Sequence, residues 1–214
     1  MRNQQNVWTF GKFLMIMLLA ISMFPGKIYA GEDLYETLQI LKFDEPTTAP
    51  DFKLASVDGG EKTLGDFKGK VVLLNFWATW CTYCRSERAG LQATYEAYKE
   101  KGLEVVAISI DRDNIDTVKA FVEEKKLTFP NLHDPKNEIG LQYAARAIPM
   151  TYFLNRTGKA VGVVIGPRSW ESDEMKTILT QLLDEKDMSN DTSQSTSATA
   201  SATPAENSAK QEPR

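Results

Sequence analysis

Two cysteines separated by two residues are the most reactive feature of this 214-residue sequence. Cys81 and Cys84 are its only cysteines, and they stand between an apolar run, 71–77, and a helix-compatible run, 85–101. A pair with this spacing between a strand and a helix is typical of a redox site. Unpaired N–H groups and the dipole at the helix N-terminus favour an anion, so we expect a lowered pKa for the Cys81 thiol. Cys84, one helical turn further on, is near enough to form a disulfide or to resolve a mixed one.

Two structural roles would account for the same pair. A disulfide that closes so short a loop removes little entropy from the unfolded chain, so it would stabilise the fold weakly. Half of a zinc site would need further ligands, because structural zinc takes about four, and His133 is the only histidine. We therefore interpret the pair as redox-active, and we expect neither a metal nor another cofactor.

The residues around the pair resemble a known family. The run LNFWATWCTYCRSE, 74–87, is similar to the thioredoxin-like TlpA/ResA/CcmG group of membrane-anchored or periplasmic thiol-disulfide oxidoreductases. Segment 148–153, IPMTYF, resembles the family's segment whose proline is cis and packs beside the active-site disulfide. The resemblance implies a cis Pro149, with the backbone beside it at Ile148 free to pair with a substrate chain as an added strand.

The same resemblance assigns roles to further side chains. Glu87, one turn beyond the second cysteine, matches the family's active-site glutamate. As a semi-buried carboxylate it would raise the thiol pKa values and shuttle a proton. The alternative is an exposed Glu87 paired with Arg85 or Arg88. Trp80 would shield the site from water and contact substrate, and Asn75 stands where cytosolic-type thioredoxins carry a buried acid.

The rest of the folded part supplies the elements that must position these residues. The order β-α-β-α-β-β-α matches an α/β fold, the thioredoxin-like three-layer sandwich. A hairpin centred on Asp58-Gly59-Gly60 forms an N-terminal extension. A helix–strand insertion over 111–145 precedes the cis-proline segment, and a last helix covers 170–185.

The first thirty residues have the pattern of an export signal. Residues 1–30 begin with basic residues, continue with an apolar run over 13–24 and end at Ala30, which the small residue Gly31 follows. The apolar run is shorter than the roughly 20 residues that span a bilayer, which favours a cleaved signal peptide. An uncleaved membrane anchor is the alternative, and in either case we expect an exported domain.

The remaining chain divides into three parts. Residues 31–45 are interpreted as a linker with a short amphipathic helix over 32–43, and the thioredoxin-like domain covers 46–185. Residues 186–214 contain no Leu, Ile, Val or aromatic residue, so they cannot bury enough apolar area to offset the entropy of ordering. We expect this tail to be disordered.

The predicted function is that of an exported thiol-disulfide oxidoreductase on the periplasmic or extracytoplasmic face of the inner membrane. The resemblance implies a reductase for exported thiol proteins such as apocytochrome c, with a membrane thiol carrier as electron donor. A net charge of −4 gives no sign of a nucleic-acid partner.

Three other functions remain open at this point. A periplasmic disulfide-forming oxidant would use the same cysteines. A Sco-type copper chaperone uses Cys-x-x-x-Cys and a distant histidine, whereas the spacing here is one residue shorter and His133 is expected in a surface loop or turn. A peroxidase would need Thr-x-x-Cys, and position 78 is Ala.

Overall fold

The computed structural model describes residues 34–185. The predicted export segment, 1–30, and the predicted disordered tail, 186–214, lie outside the described residues. Within the described part, no helix is long and apolar enough to cross a membrane.

One mixed sheet of eight strands forms the middle layer of the described residues. In chain order the strands are β1 (Leu41–Thr48), β2 (Lys53–Ser56), β3 (Glu61–Thr63), β4 (Val71–Trp77), β5 (Leu103–Ser109), β6 (Asn131–His133), β7 (Met150–Leu154) and β8 (Lys159–Ile165). Their order across the sheet is β1-β8-β7-β4-β5-β6-β2-β3. The β4–β5 and β5–β6 pairs are parallel, and the other neighbours are antiparallel.

Helices cover the sheet and complete the sandwich. They are α1 (Leu34–Thr37), α2 (Thr82–Tyr98), α3 (Ile115–Lys125), α4 (Glu138–Gln142) and α5 (Asp173–Asp184), with short 3₁₀ turns at Leu64–Phe67 and Lys99–Lys101. Successive side chains of β4 point to opposite faces of the sheet. Leu73 and Trp77 therefore pack in a core with residues of α2, α3 and α5, whereas Leu74 and Phe76 pack in a second core with Tyr143.

The two central strands set the position of the site. β4 and β5 are buried along their whole length and run in parallel register, from Val71 opposite Leu103 to Trp77 opposite Ser109. Their continuous apolar runs are what a doubly covered strand requires, so the prediction of central strands here is confirmed. Both strands end at the same edge of the sheet, and α2 begins just beyond that edge, at Thr82.

The three-layer fold with its two additions is also confirmed. The N-terminal hairpin consists of β2 and β3, in which Lys53 lies opposite Thr63. The insertion contributes α3, β6 and α4 before the cis-proline segment. The last helix begins later than predicted, at Asp173, because the Ser172 hydroxyl accepts a hydrogen bond from the Met175 N–H (3.2 Å) and caps the helix there.

The prediction of a helix over 32–43 is wrong for most of its length. The helix α1 ends at Thr37, and Gln39 adopts a left-handed conformation with φ of 52°. From Leu41 the chain forms strand β1, paired antiparallel with β8, and Leu41 is exposed rather than buried on a helix face. The edge of β8 pairs with both ends of the segment, at residues 41–42 and 47–48, and this pairing outweighs a short leucine periodicity. Part of the predicted linker therefore belongs to the sheet.

Candidate active site

Cys81 and Cys84 form a disulfide at the start of α2. Cys81 is the N-cap residue of the helix, and its Sγ accepts a hydrogen bond from the Cys84 N–H at 3.1 Å. Cys81 is 7% exposed, whereas Cys84 is completely buried. Only the Cys81 residue therefore has an exposed fraction through which a thiol could attack the disulfide, or through which the reduced sulfur could attack another disulfide, and a negative charge on this sulfur would be stabilised by the helix N-terminus.

The proline segment lies against this disulfide. The Ile148–Pro149 peptide is cis, as the sequence resemblance predicted. The Ile148 carbonyl oxygen is 3.8 Å from the Cys81 Sγ. Pro149 is buried and its own carbonyl accepts a hydrogen bond from the Gly166 N–H (2.8 Å), while Ile148 is half-buried. This segment is placed to contact any chain that reaches the sulfur of Cys81.

The two tryptophans of the motif have different environments. Trp77 is completely buried in the core beneath α2, as expected for the last residue of a central strand. Trp80, however, is 65% exposed, so it does not enclose the disulfide in the way the sequence suggested. Tyr83, between the cysteines, is exposed to a similar extent. Two large aromatic side chains thus flank Cys81 at the surface and are free to contact another protein.

Glu87 is buried on the inner face of α2, one turn beyond Cys84. Its Oε1 accepts hydrogen bonds from the Asn75 side-chain amide (3.1 Å) and the Arg88 guanidinium (3.0 Å). Its Oε2 accepts from the Trp170 indole N–H (3.0 Å) and the Arg168 backbone N–H (3.3 Å). The exposure in the alternative interpretation is therefore wrong, whereas its pairing of Glu87 with Arg88 is confirmed. The Glu87 carboxyl group is fixed inside the protein by donors from three separate segments.

Arg88 is the partner that the sequence reasoning did not place in the core. It is 1% exposed, and its Nε donates to the Cys84 carbonyl oxygen (3.0 Å). The guanidinium lies over the Trp77 ring, 4.8 Å from the ring centroid. Burial lowers the pKa of Arg88 to about 10, against the opposing effect of the Glu87 carboxylate. The helical spacing was the available signal, because residues three and four positions beyond Cys84 share its buried face.

Asn75 joins the ion pair to the sheet. Its side-chain oxygen accepts a hydrogen bond from Arg88, and its amide donates to Glu87 and to the Thr151 hydroxyl (2.8 Å). Thr151 lies directly opposite Asn75, on β7. A polar residue in an otherwise apolar buried strand was the sequence signal for such a network.

Comparisons with known proteins agree with this geometry. The model of the AhpC/TSA family matches residues 47–162. The thiol-disulfide oxidoreductase ResA of Bacillus cereus is 35% identical over 163 residues, which cover 76% of this chain and 91% of that protein. The chain belongs to the AhpC/TSA family.

Two further relatives are also named as proteins of thiol-disulfide chemistry. ResA of Oceanobacillus iheyensis is 43% identical over 122 residues, which span 55% of this chain and 63% of that protein. The crystal structure of a secreted thiol-disulfide isomerase from Corynebacterium glutamicum matches with a TM-score of 0.61 at 29% identity, over 68% of this chain and 92% of that chain. Together with the Cys81–Cys84 disulfide, these relatives identify this AhpC/TSA chain as a thiol-disulfide oxidoreductase, and they confirm the resemblance carried by residues 74–87.

A second buried carboxylate fixes the loop before Cys81 in this AhpC/TSA fold. Asp111, which follows β5, accepts hydrogen bonds from the Thr79 N–H (2.9 Å) and the Thr79 hydroxyl (2.5 Å). It also accepts one from the Ser109 hydroxyl (2.5 Å). Parallel β4 and β5 end side by side, so a residue just after β5 can hold the loop that follows β4. The sequence reasoning missed Asp111, although an acid directly after a buried strand was a visible signal.

His133 lies in a different environment from the expected one. It was expected in a surface loop or turn, but it lies buried in β6, and its Nε2 is 2.9 Å from the Asp111 carbonyl oxygen. The short strand forms because Asn131 to His133 pair with both β5 and β2. Among residues 34–185, no group of three or more His, Cys, Asp or Glu side chains is arranged to hold a metal ion.

Proposed function

We propose that this oxidoreductase acts as a reductase of exported proteins through Cys81 and Cys84. The observation that supports the assignment of roles is the difference in burial, because Cys81 reaches the surface at a helix N-terminus while Cys84 lies fully buried behind it. In the reduced protein, the Cys81 thiolate attacks one sulfur of a substrate disulfide. A mixed disulfide forms, and the other substrate sulfur leaves as a thiolate that takes up a proton.

Cys84 then completes the exchange. Its thiolate attacks the Cys81 sulfur, the mixed disulfide breaks, and the second substrate thiol leaves. Two electrons have passed to the substrate, and the Cys81–Cys84 disulfide remains. A dithiol donor reverses the same steps on this disulfide, and we propose a membrane thiol carrier as that donor.

Substrate binding is proposed for the surface around Cys81. Trp80 is exposed beside the sulfur, and Ile148 and Pro149 bring a backbone segment against it. An extended peptide placed between them would add a strand along Ile148 and present its own sulfur to Cys81. Glu87 completes the proposed site as a buried carboxyl group on α2, one turn beyond Cys84.

We propose that the protein works outside the cytoplasm, with a cysteine-containing exported protein such as apocytochrome c as its substrate. The signal-like pattern of residues 1–30 supports export. The structural relative from Corynebacterium glutamicum is named a secreted protein. A disulfide on the reaction path also persists more readily in an oxidising compartment.

Trapping of the mixed disulfide tests the assigned roles. In Cys84→Ser the resolving sulfur is lost, so incubation of the reduced variant with a disulfide-bonded protein should give a covalent complex through Cys81 that dithiothreitol releases. Cys81→Ser should give no such complex, because Cys84 is buried. A complex that forms equally well in both variants, or in neither, would contradict the proposed roles.

A further inference from the structure

The exposed surface around Cys81 combines aromatic side chains with arginines. Trp80 and Tyr83 are the aromatic ones, and both are largely exposed. Aromatic residues and arginine are the residue types that contribute most to binding between proteins. The surface beside the sulfur therefore has the composition of a binding surface, and its arginines indicate the charge of the partner.

Two exposed arginines stand in segments that contact Cys81 directly. Arg85 lies in the first turn of α2, and its backbone N–H donates to the Cys81 carbonyl oxygen (3.0 Å). Arg146 lies in the loop before β7, two residues ahead of Ile148, whose carbonyl oxygen is 3.8 Å from the Cys81 Sγ. These two arginines thus belong to segments that adjoin the proposed path of a substrate chain.

A third exposed arginine, Arg112, reaches the same edge of the sheet in the loop after β5. It follows Asp111, whose carboxylate accepts a hydrogen bond from the Thr79 N–H (2.9 Å) and so holds the loop before Cys81. The strands β4 and β5 end together at this edge, because their register is parallel. The next residue, Asp113, is also exposed, so this loop contributes one charge of each sign.

The arginine rim, by which we mean Arg85, Arg112 and Arg146, has charge that the protein does not pair. Within residues 34–185, none of its three guanidinium groups forms an ion pair or a side-chain hydrogen bond. Lys125 lowers the pKa of Glu124 on α3 through a hydrogen bond (2.7 Å) and its charge, and Arg85 adds a smaller effect of the same sign. Each guanidinium keeps its planar set of N–H donors, which matches a carboxylate in two-point pairing.

The charge of the arginine rim contrasts with that of the whole chain. The 214 residues have a net charge of −4, and their basic residues are 17 lysines and 8 arginines. The exposed basic residues in the three segments around Cys81 are nevertheless all arginine. The exposed Glu171 places its carboxylate beside Gly90, further along α2 than Cys84. The rim is therefore a local positive region around the sulfur, which attracts carboxylates and repels cations.

We propose that the arginine rim selects disulfide substrates in which acidic residues flank the cysteines, while Trp80 and Tyr83 pack against apolar groups of the same segment. The proposal rests on the function proposed above and specifies its substrate class. The arginines attract the carboxylates during encounter and pair with them in the complex, and the exchange of sulfur atoms is unchanged. Because salt screens exposed ion pairs, the selection should weaken as the salt concentration rises.

Two synthetic peptides test this selection. They share one disulfide-bonded core and differ in the flanking residues, which are aspartate and glutamate in one peptide and lysine in the other. The rate at which the reduced full-length protein reduces each peptide is divided by its rate with dithiothreitol, because flanking charges also alter the disulfide itself. At low ionic strength the acidic peptide should then be reduced about tenfold faster. Equal normalised rates, or faster reduction of the basic peptide, would overturn the proposal.

Charge variants locate the effect on the protein. Arg112→Gln/Arg146→Gln should lose most of the preference, and Arg112→Glu/Arg146→Glu should reverse it, a result that unfolding cannot produce. Lys68→Gln/Lys159→Gln is the matched control, because it removes two exposed charges just before β4 and at the start of β8, at the opposite edge of the sheet. This control should retain the preference. An equal loss in the control would assign the effect to net charge and overturn the proposal.

A binding measurement separates this proposal from the proposed function. Peptides with serine in place of cysteine cannot exchange disulfides, yet the acidic one should protect Cys81 of the reduced protein from iodoacetamide more strongly than the basic one. Such protection without reduction of either disulfide peptide would refute the proposed function and still support the selection by charge. Equal protection by both peptides would overturn the selection, whether or not disulfides are exchanged. Protection by anionic lipid vesicles that depends on the arginines would in that case assign the rim to a membrane surface.

Discussion

The buried Glu87–Arg88 pair has consequences for the stability of the protein. Bringing both ions out of water costs several kcal/mol for each, about as much as their attraction and hydrogen bonds return. Removal of one partner leaves the other as an uncompensated buried charge, whereas removal of both does not. The pair is thus a poor source of net stability but a strict constraint on single substitutions.

The first prediction concerns that constraint. Glu87→Gln should destabilise the protein by about 3 kcal/mol, because Arg88 would remain buried without an anion. Glu87→Gln/Arg88→Met should recover most of this loss, and urea unfolding measures both. The exposed Glu124 pairs with Lys125, and Glu124→Gln should leave the urea midpoint unchanged. A double variant less stable than Glu87→Gln would refute the mutual dependence of the two ions.

A second prediction concerns Tyr143 at alkaline pH. Its hydroxyl donates to the Pro50 carbonyl oxygen, and burial raises the pKa of Tyr143 above its usual value. The folded protein therefore keeps the neutral phenol. Its contribution to stability is complete below the unfolded pKa of about 10 and is lost as pH rises above that value, when only the unfolded chain ionises.

Tyr143→Phe should reveal directly how this phenol changes the dependence of folding stability on pH. The variant should lose about 1 kcal/mol at neutral pH, from the missing hydrogen bond. It should then lose less further stability than the unmodified protein above about pH 10. Tyr83→Phe, at an exposed position, should follow the unmodified curve. Parallel alkaline curves for Tyr143→Phe and the unmodified protein would contradict this account.

These individual residues show what the sequence could and could not predict. The two cysteines were predictable from their spacing, and Glu87 was predictable from the resemblance of residues 74–87 to the thioredoxin-like family. The burial of Arg88 was not, since a charged residue is assigned to the surface unless its partner is known. Arg88 binds both Glu87 on α2 and Asn75 on β4, and only the fold brings these two residues together.

The junction between β4 and α2 is the element that presents Cys81. Its loop is short, and it is held from the side by Asp111 at the end of the neighbouring strand β5. The sequence showed β4, β5 and α2 because each has a strong local pattern. The strand over 41–48 was not predicted, because it depends on pairing with β8, which lies more than a hundred residues away in the chain.

Asp111→Ala should therefore weaken this junction. The substitution removes the acceptor for the Thr79 N–H, the Thr79 hydroxyl and the Ser109 hydroxyl, so we expect a loss of about 2–3 kcal/mol in the free energy of unfolding. Hydrogen exchange at the Thr79 amide should accelerate. Asp113→Ala, two residues further on and exposed, should change neither quantity. An unchanged exchange rate at Thr79 in Asp111→Ala would show that the loop does not depend on this carboxylate.

The arrangement of the complete sheet brings the distant parts of the site together. Because β7 runs antiparallel to β4, the start of β7 lies beside the end of β4, with Met150 opposite Phe76. This register places the cis-proline segment against Cys81, although 67 residues separate Ile148 from that cysteine. The sequence indicated the proline by resemblance, but its contact with the disulfide follows only from the strand order.

The measurement that tests the central claim most directly is the reduction potential of the Cys81–Cys84 pair. The protein is equilibrated with dithiothreitol or glutathione buffers, and the fraction of disulfide is determined by alkylation of free thiols. A reductase of exported proteins predicts a potential near that of thioredoxin, roughly −270 mV. A potential near roughly −120 mV, that of a strong disulfide-forming oxidant, would contradict the proposed direction of electron flow.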